Sequence, residues 1–394
     1  MTTDSTSPTP TSRSLFDYNF GTVSPDAEVL HRTEKTKALY GQASFFCLAT
    51  KLGVPILNNV SNRSGGQDHL FVGAGASYGV TRPLVHWDDH FQQRSINITK
   101  SQDLEKGLLS RKFVTKRIIP IASKATSDAQ QLAAITNEVR ILGNETIKKA
   151  NCLVKLLFVA WDELPREGRH WPRLLLEAAD YGNLAAFMAL SEDISKWNVK
   201  LELALNILGG LKMLHNLKVA HCDLKLENIL VFQAEEEKQN EHGKKYRAKL
   251  CDFGFSVIMS DYEDGATFSA KLGTEPWNAP ELTFGTEIKI DELPQADIFS
   301  FGLVFSRIYM HGGDPFEGMT VDETRKMKRD AEQNTMAMFE HVRTAIFARV
   351  TYSEAQQFLI QKLIFKTLGY RPEDRFPIGH IGVELNFLGV LYSE

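Results

Sequence analysis

Residues 221–228, His221-Cys222-Asp223-Leu224-Lys225-Leu226-Glu227-Asn228, carry the most specific pattern in this chain of 394 residues. The stretch follows a helical period of Leu201, Leu205, Leu208, Leu211 and Leu214, and it runs into the strand-like segment NILVF. A tight loop at that junction brings a carboxylate, a cation two residues later and an amide five residues later to one centre. Asp223 can orient a hydroxyl and accept its proton, Lys225 can neutralise charge on a phosphoryl group in transfer, and Asn228 can ligate Mg²⁺. Read alone, the same residues also fit a polar turn after a helix.

Further along lies Asp252-Phe253-Gly254, behind the apolar run that ends in Cys251, and then Ala279-Pro280-Glu281. Mg²⁺ takes oxygen ligands, commonly one or two carboxylates plus substrate phosphates, so an aspartate at a strand end followed by glycine suits it. A three-residue match arises easily by chance. Three motifs in this order do not.

The ordered set resembles the protein kinase family over roughly residues 67–392. The resemblance implies an α+β, bilobal fold: a small β-rich amino-terminal lobe with one key helix and a larger, mainly helical carboxy-terminal lobe. It implies ATP as phosphoryl donor, Mg²⁺ as metal and a protein partner with a serine or threonine acceptor. Lys116 matches the strand lysine that holds the α- and β-phosphates, and Glu138 matches its helix partner. Taken singly, these two residues also fit an exposed strand lysine and a solvated helix face. Asp223, Lys225, Lys116 and Glu138 become the catalytic set, and Asn228 and Asp252 the metal ligands. The segment from Gly73 to Val80 resembles the phosphate-covering loop, with Gly73 and Gly75 in place and Tyr78 where the family has a third glycine. Val80, Val114, Leu176, the Glu177 carbonyl, the Ala179 amide and Leu230 would complete the nucleotide site. Asp297 matches the aspartate that braces the catalytic loop, and Arg375 the arginine that pairs with Glu281. Lys225 and Thr274 point to the serine/threonine branch. Cys222 departs from the pattern, standing where many members carry an arginine that grips a phosphorylated activation segment, and this questions control by phosphate there.

Composition bounds the alternatives. With 43% hydrophobic and 24% charged residues the chain has a core to bury, and a formal charge of −4 gives no footprint for nucleic acid. Four scattered cysteines, no secretory h-region and no apolar stretch of membrane length predict an intracellular protein, cytoplasmic or nuclear, without membrane insertion. Residues 1–14 read as a disordered tail, 15–65 as an extension of unknown role with a helix-forming cluster at Ala43–Ala49, and 66–392 as the kinase domain. Within that domain the small lobe spans about 66–178 and the large lobe about 179–392. Residues 81–110 read as an inserted loop and AEEEKQNEHGKKYRAK as an exposed excursion. Two other functions compete with an active protein kinase. A pseudokinase would keep the fold without turnover, and a small-molecule kinase would fit poorly with the peptide-seating segment Gly273–Glu281.

Overall fold

The computed structural model describes residues 42–56, 69–74, 78–83, 113–118, 128–164, 169–234, 246–334 and 336–391. The expected tail, the loop at 58–66, Gly75 and most of the 81–110 insertion and the charged excursion lie outside them.

A five-stranded antiparallel sheet forms the small lobe, in the order β1-β2-β3-β5-β4: β1 is His69–Ala74, β2 Tyr78–Pro83, β3 Phe113–Ile118, β4 Leu156–Leu164 and β5 Arg169–Glu177. Register decides what this sheet presents. Lys116 lies opposite Val80 on one side and Leu174 on the other, and Val114 lies opposite Leu176. Because a strand repeats every two residues, Val114 and Lys116 share one face.

Two helices precede and follow β3. Helix α1, Gln42–Lys51, belongs to the extension, and helix α2, Asp128–Leu142, lies between β3 and β4. Phe45, Leu48, Ala49 and Leu52 recur at three- and four-residue steps, are buried, and share one core with Ile135, Val139 and Leu142 of α2. The chain leaving α1 stays attached: Lys148 Nζ donates to the Leu52 carbonyl at 2.5 Å, and Val159 N–H to the Pro55 carbonyl at 3.0 Å. Burying Phe45, Leu48 and Leu52 at about 1.5–3 kcal/mol each, with Ala49 adding less, makes this segment part of the lobe rather than an appendage. Asn144 then caps the short α3, Glu145–Lys149, by accepting from Thr146 N–H at 2.9 Å.

The large lobe is helical: α4 Leu184–Leu190, α5 Trp197–Asn216, α6 Pro280–Phe284, α7 Pro294–Tyr309, α8 Val321–Asp330, α9 Ala337–Arg349, α10 Glu354–Thr367 and α11 Ile378–Leu391. Helix α7 is apolar on nearly every side and almost wholly buried, the pattern of a central helix. Gly302 lets α10 approach it, since a Cβ there would sit 2.3 Å from Thr367 Oγ1. Short strand pairs carry the loops of interest. Strand β6 (Val219–Ala220) pairs with β9 (Val257–Ile258), β7 (Ile229–Gln233) with β8 (Tyr246–Leu250), and β10 (Thr267–Phe268) with β11 (Ile288–Lys289). The lobes join where Tyr181 N–H donates to the Val231 carbonyl and Val231 N–H to that of Gly182, at 3.0 and 2.9 Å.

Candidate active site

Between β6 and β7 the chain turns through His221–Asn228, and Asp297, wholly buried at the start of α7, fixes that turn. Its carboxylate accepts from the backbone N–H groups of His221 and Cys222 and from His215 Nε2, each at 2.8 Å. Charge-assisted bonds to two consecutive amides hold Cys222 in the left-handed region at φ 62°, a conformation that costs a non-glycine residue about 1–3 kcal/mol. A Cβ on Gly273, itself at φ 82°, would lie 2.6 Å from the Cys222 carbonyl, so the segment bearing Thr274 comes this close only because residue 273 is glycine.

That approach completes a cluster around Asp223. Lys225 Nζ donates to Asp223 Oδ2 at 2.8 Å and to Thr274 Oγ1 at 2.6 Å, and the Thr274 hydroxyl donates to Asp223 Oδ1 at 2.7 Å. Asn228 Nδ2 donates to the Asp223 carbonyl at 2.8 Å and to Oδ2 at 3.0 Å. With its NH₂ committed to Asp223, Asn228 keeps its amide oxygen as an acceptor or metal donor.

A second cluster spans the lobes. Lys116 Nζ lies 2.6 Å from Glu138 Oε2 and 2.9 Å from Asp252 Oδ1, so one ammonium from β3 ties α2 to the end of the run that follows β8. Burial pushes the Glu138 carboxyl above its ordinary value, against the pull of Lys116. Burial also acts to raise Asp252, but attraction to Lys116, with His221 and Lys225 beyond, outweighs it and holds that carboxyl below the usual range. Asp252 is the second left-handed residue here, at φ 64°. Its side chain is 28% exposed whereas Glu138 is sealed, so of the two carboxylates Asp252 is the one open to a metal. Its oxygens and the Asn228 amide oxygen make a hard donor pair suited to Mg²⁺ with phosphates filling the remaining positions. Among the described residues no group of three His, Cys, Asp or Glu side chains forms a self-contained metal cage.

Around these clusters stand the other expected nucleotide-site residues. Gly73 pairs with Val80 across the β1–β2 hairpin. Val114 and Leu176 face each other in the sheet, and Leu230 of β7 bridges to Asn183 beside the lobe junction. Ala179 is half-buried within that junction. The Glu177 side chain, not part of the expectation, accepts from Lys249 Nζ at 2.7 and 2.9 Å and pins the junction to β8. Glu281 and Arg375 form a buried two-pronged pair at 2.6 and 2.8 Å, as the resemblance implied.

Three contacts had no sequence signal. Asn137 Nδ2 donates to the carbonyls of Phe253 and Ser256, Arg140 grips Asp261, and buried Lys328 of α8 donates to Asn278 and Thr283. Their partners lie tens of residues away, beyond any local spacing rule.

The sequence profile of the protein kinase domain matches residues 108–382. Probable serine/threonine-protein kinase kinY of Dictyostelium discoideum is 28% identical over 183 residues, 46% of this chain and 27% of that protein. Human death-associated protein kinase 2 is 33% identical over 151 residues, 38% of this chain and 36% of its own length. The rat SNF-related serine/threonine-protein kinase is 29% identical over 164 residues, 40% of this chain and 19% of that protein. The chain thus spans about a third or less of the curated relatives it matches.

Proposed function

The chain belongs to the protein kinase family, and on that premise we propose that it transfers the γ-phosphate of ATP to serine and threonine hydroxyls of a protein substrate. The observation that carries the reading is Lys116 Nζ bonded at once to Glu138 and Asp252, because that contact would hold a cation for the phosphates beside a carboxylate suited to a metal. Asp223 would accept the proton of the substrate hydroxyl, with Lys225 and Asn228 fixing its orientation. Lys225, 19% exposed, reaches the same carboxylate and can shield charge on the transferring group. The Asp252 carboxylate and the Asn228 amide oxygen would hold a divalent metal, which we assign as Mg²⁺. When bound, the metal would neutralise phosphate charge. Val80, Val114, Leu176 and Leu230 would enclose adenine, the Glu177 carbonyl and Ala179 amide would hydrogen-bond it, and Gly73 and Gly75 would cover the phosphates. Serine and threonine specificity draws support from Thr274, which joins Lys225 to Asp223, and from the two relatives named as serine/threonine-protein kinases.

A pseudokinase reading draws on Tyr78 in place of a glycine and on Cys222. Metal-dependent transfer of labelled γ-phosphate to a generic basic protein separates the two. Transfer by the wild type that disappears in Asp252→Ala supports the enzyme, and equal background in both leaves the pseudokinase.

A further inference from the structure

Helix α2 reaches the large lobe through more than Glu138. Two residues on from Glu138, Arg140 is 5% exposed, and its NH1 and NH2 donate to Asp261 Oδ2 and Oδ1, both at 2.7 Å. A parallel, nearly dry guanidinium–carboxylate fork is the strongest geometry open to such a pair, and it fixes direction as well as distance. Asp261 closes a single 3₁₀ turn, Met259–Asp261, directly after β9. Strand β9 pairs with β6, whose next residues are His221, Cys222 and Asp223, and Met259 N–H donates to the Lys218 carbonyl at 2.8 Å. A continuous path therefore runs from Glu138 through Arg140, Asp261, β9 and β6 to the catalytic loop. Asn137 adds a parallel tie to the carbonyls of Phe253 and Ser256 at 3.0 and 2.7 Å.

The cation that often anchors a phosphorylated segment is missing from the catalytic loop. Position 222 holds a thiol that is 3% exposed, and burial together with nearby Asp297 pushes its pKa well above the ordinary thiol value, so it stays neutral. Between Asp252 and Glu281 the sequence has one lysine or arginine, Lys271. The structure supplies Arg140 from another lobe, already occupied by a carboxylate of the segment itself.

Resting on the kinase reading above, we propose that Arg140 and Asp261 are positioning residues: their fork holds Glu138 on Lys116, so that a carboxylate of the segment itself does the work a phosphate would otherwise do. The active arrangement then stands without modification of the exposed Thr267 or Ser269.

The test compares wild type, Asp261→Asn, Arg140→Lys and the exchanged pair Arg140→Asp/Asp261→Arg, each assayed for kcat, both KM values and amide hydrogen exchange across residues 128–142. Asp261→Asn removes charge at nearly constant shape. We expect kcat to fall about tenfold, or 1.4 kcal/mol of barrier, with KM for the protein substrate unchanged and faster exchange in α2. Arg140→Lys should show a smaller loss of the same kind, and the exchanged pair should regain part of it. Phosphatase treatment should leave wild-type kcat unchanged. Exchange in α2 that does not respond to Asp261→Asn overturns the proposal, as does phosphatase treatment that lowers wild type to the Asp261→Asn level. Exchange needs no turnover, so a wild type without transfer activity would defeat the kinase reading while the exchange comparison still decides the fork.

Discussion

The loop around Asp223 and the cluster around Lys116 are built by opposite means. Around Asp223 the essential partners Lys225 and Asn228 lie within five residues, and one buried aspartate, Asp297, braces the turn through two consecutive backbone amides. Around Lys116 the partners come from α2 and from beyond β8, 22 and 136 residues away. A local loop is set once its brace is in place. The cluster around Lys116 exists only while α2 stays seated, so control of the proposed activity should act there, and α1 and the Arg140–Asp261 fork both bear on that helix.

Perturbations that unseat the long-range side should therefore be costly and separable from those that touch the loop. Lys116→Met should lower kcat/KM by about 10²-fold or more, since it removes a preorganised cation and leaves buried Glu138 without its partner. A variant with near-normal steady-state kinetics would remove Lys116 from the site. Arg375→Ala strands the buried Glu281 carboxylate, and the denaturant midpoint should report a loss of about 3–5 kcal/mol. Leu52→Ala opens a cavity between α1 and α2 and should cost about 2–4 kcal/mol, with faster hydrogen exchange in α2 than in α10. Equal acceleration in both helices would mean that α1 supports the whole fold rather than that one helix.

Smaller effects probe Lys328 beneath the Asn278–Thr283 turn and the Cys251 thiol next to Asp252. Burial lowers the Lys328 pKa from 10.5 to about 7, despite the attraction of Glu275 and Glu281. The folded state then binds fewer protons than the unfolded chain between pH 7 and 10.5. This group's penalty is complete below about pH 7 and relieved as pH rises through that window. Lys328→Met should flatten stability against pH there, and an unchanged slope would show that the charge stays on at Lys328. Cys251 directly precedes Asp252, but burial raises its thiol pKa far above the ordinary value, so labelling by an electrophile docked in the nucleotide site should be slow. Rapid labelling, blocked by ATP and lost in Cys251→Ala, would contradict that environment.

How much of this was legible in the sequence follows the same division. Asp223, Lys225 and Asn228 could be read together because their spacing is fixed by one loop, and Asp297, Glu281 and Arg375 came with the family pattern. The helix at Gln42–Lys51 was visible as an apolar cluster, yet its place against α2 was not, since no periodicity states which surface a helix covers. In the sequence Arg140 is one charge near the end of a helix, with nothing local to mark it. Its partner lies 121 residues away, and only folding shows that the negative charge in the segment after Asp252 already has a cation. Lys328 was hidden for the same reason, because a lysine in the charged run VDETRKMKRD reads as solvated.

The most direct test of this division is Asp223→Asn, with ATP binding and single-turnover phosphoryl transfer measured on the same preparation. Asp223 belongs to the local loop, so the variant should bind ATP within about threefold of wild type. Its transfer rate should fall at least about 10²-fold, as expected for loss of a positioned base. Transfer at the wild-type rate, or a loss of ATP binding as large as the loss of transfer, would contradict the account.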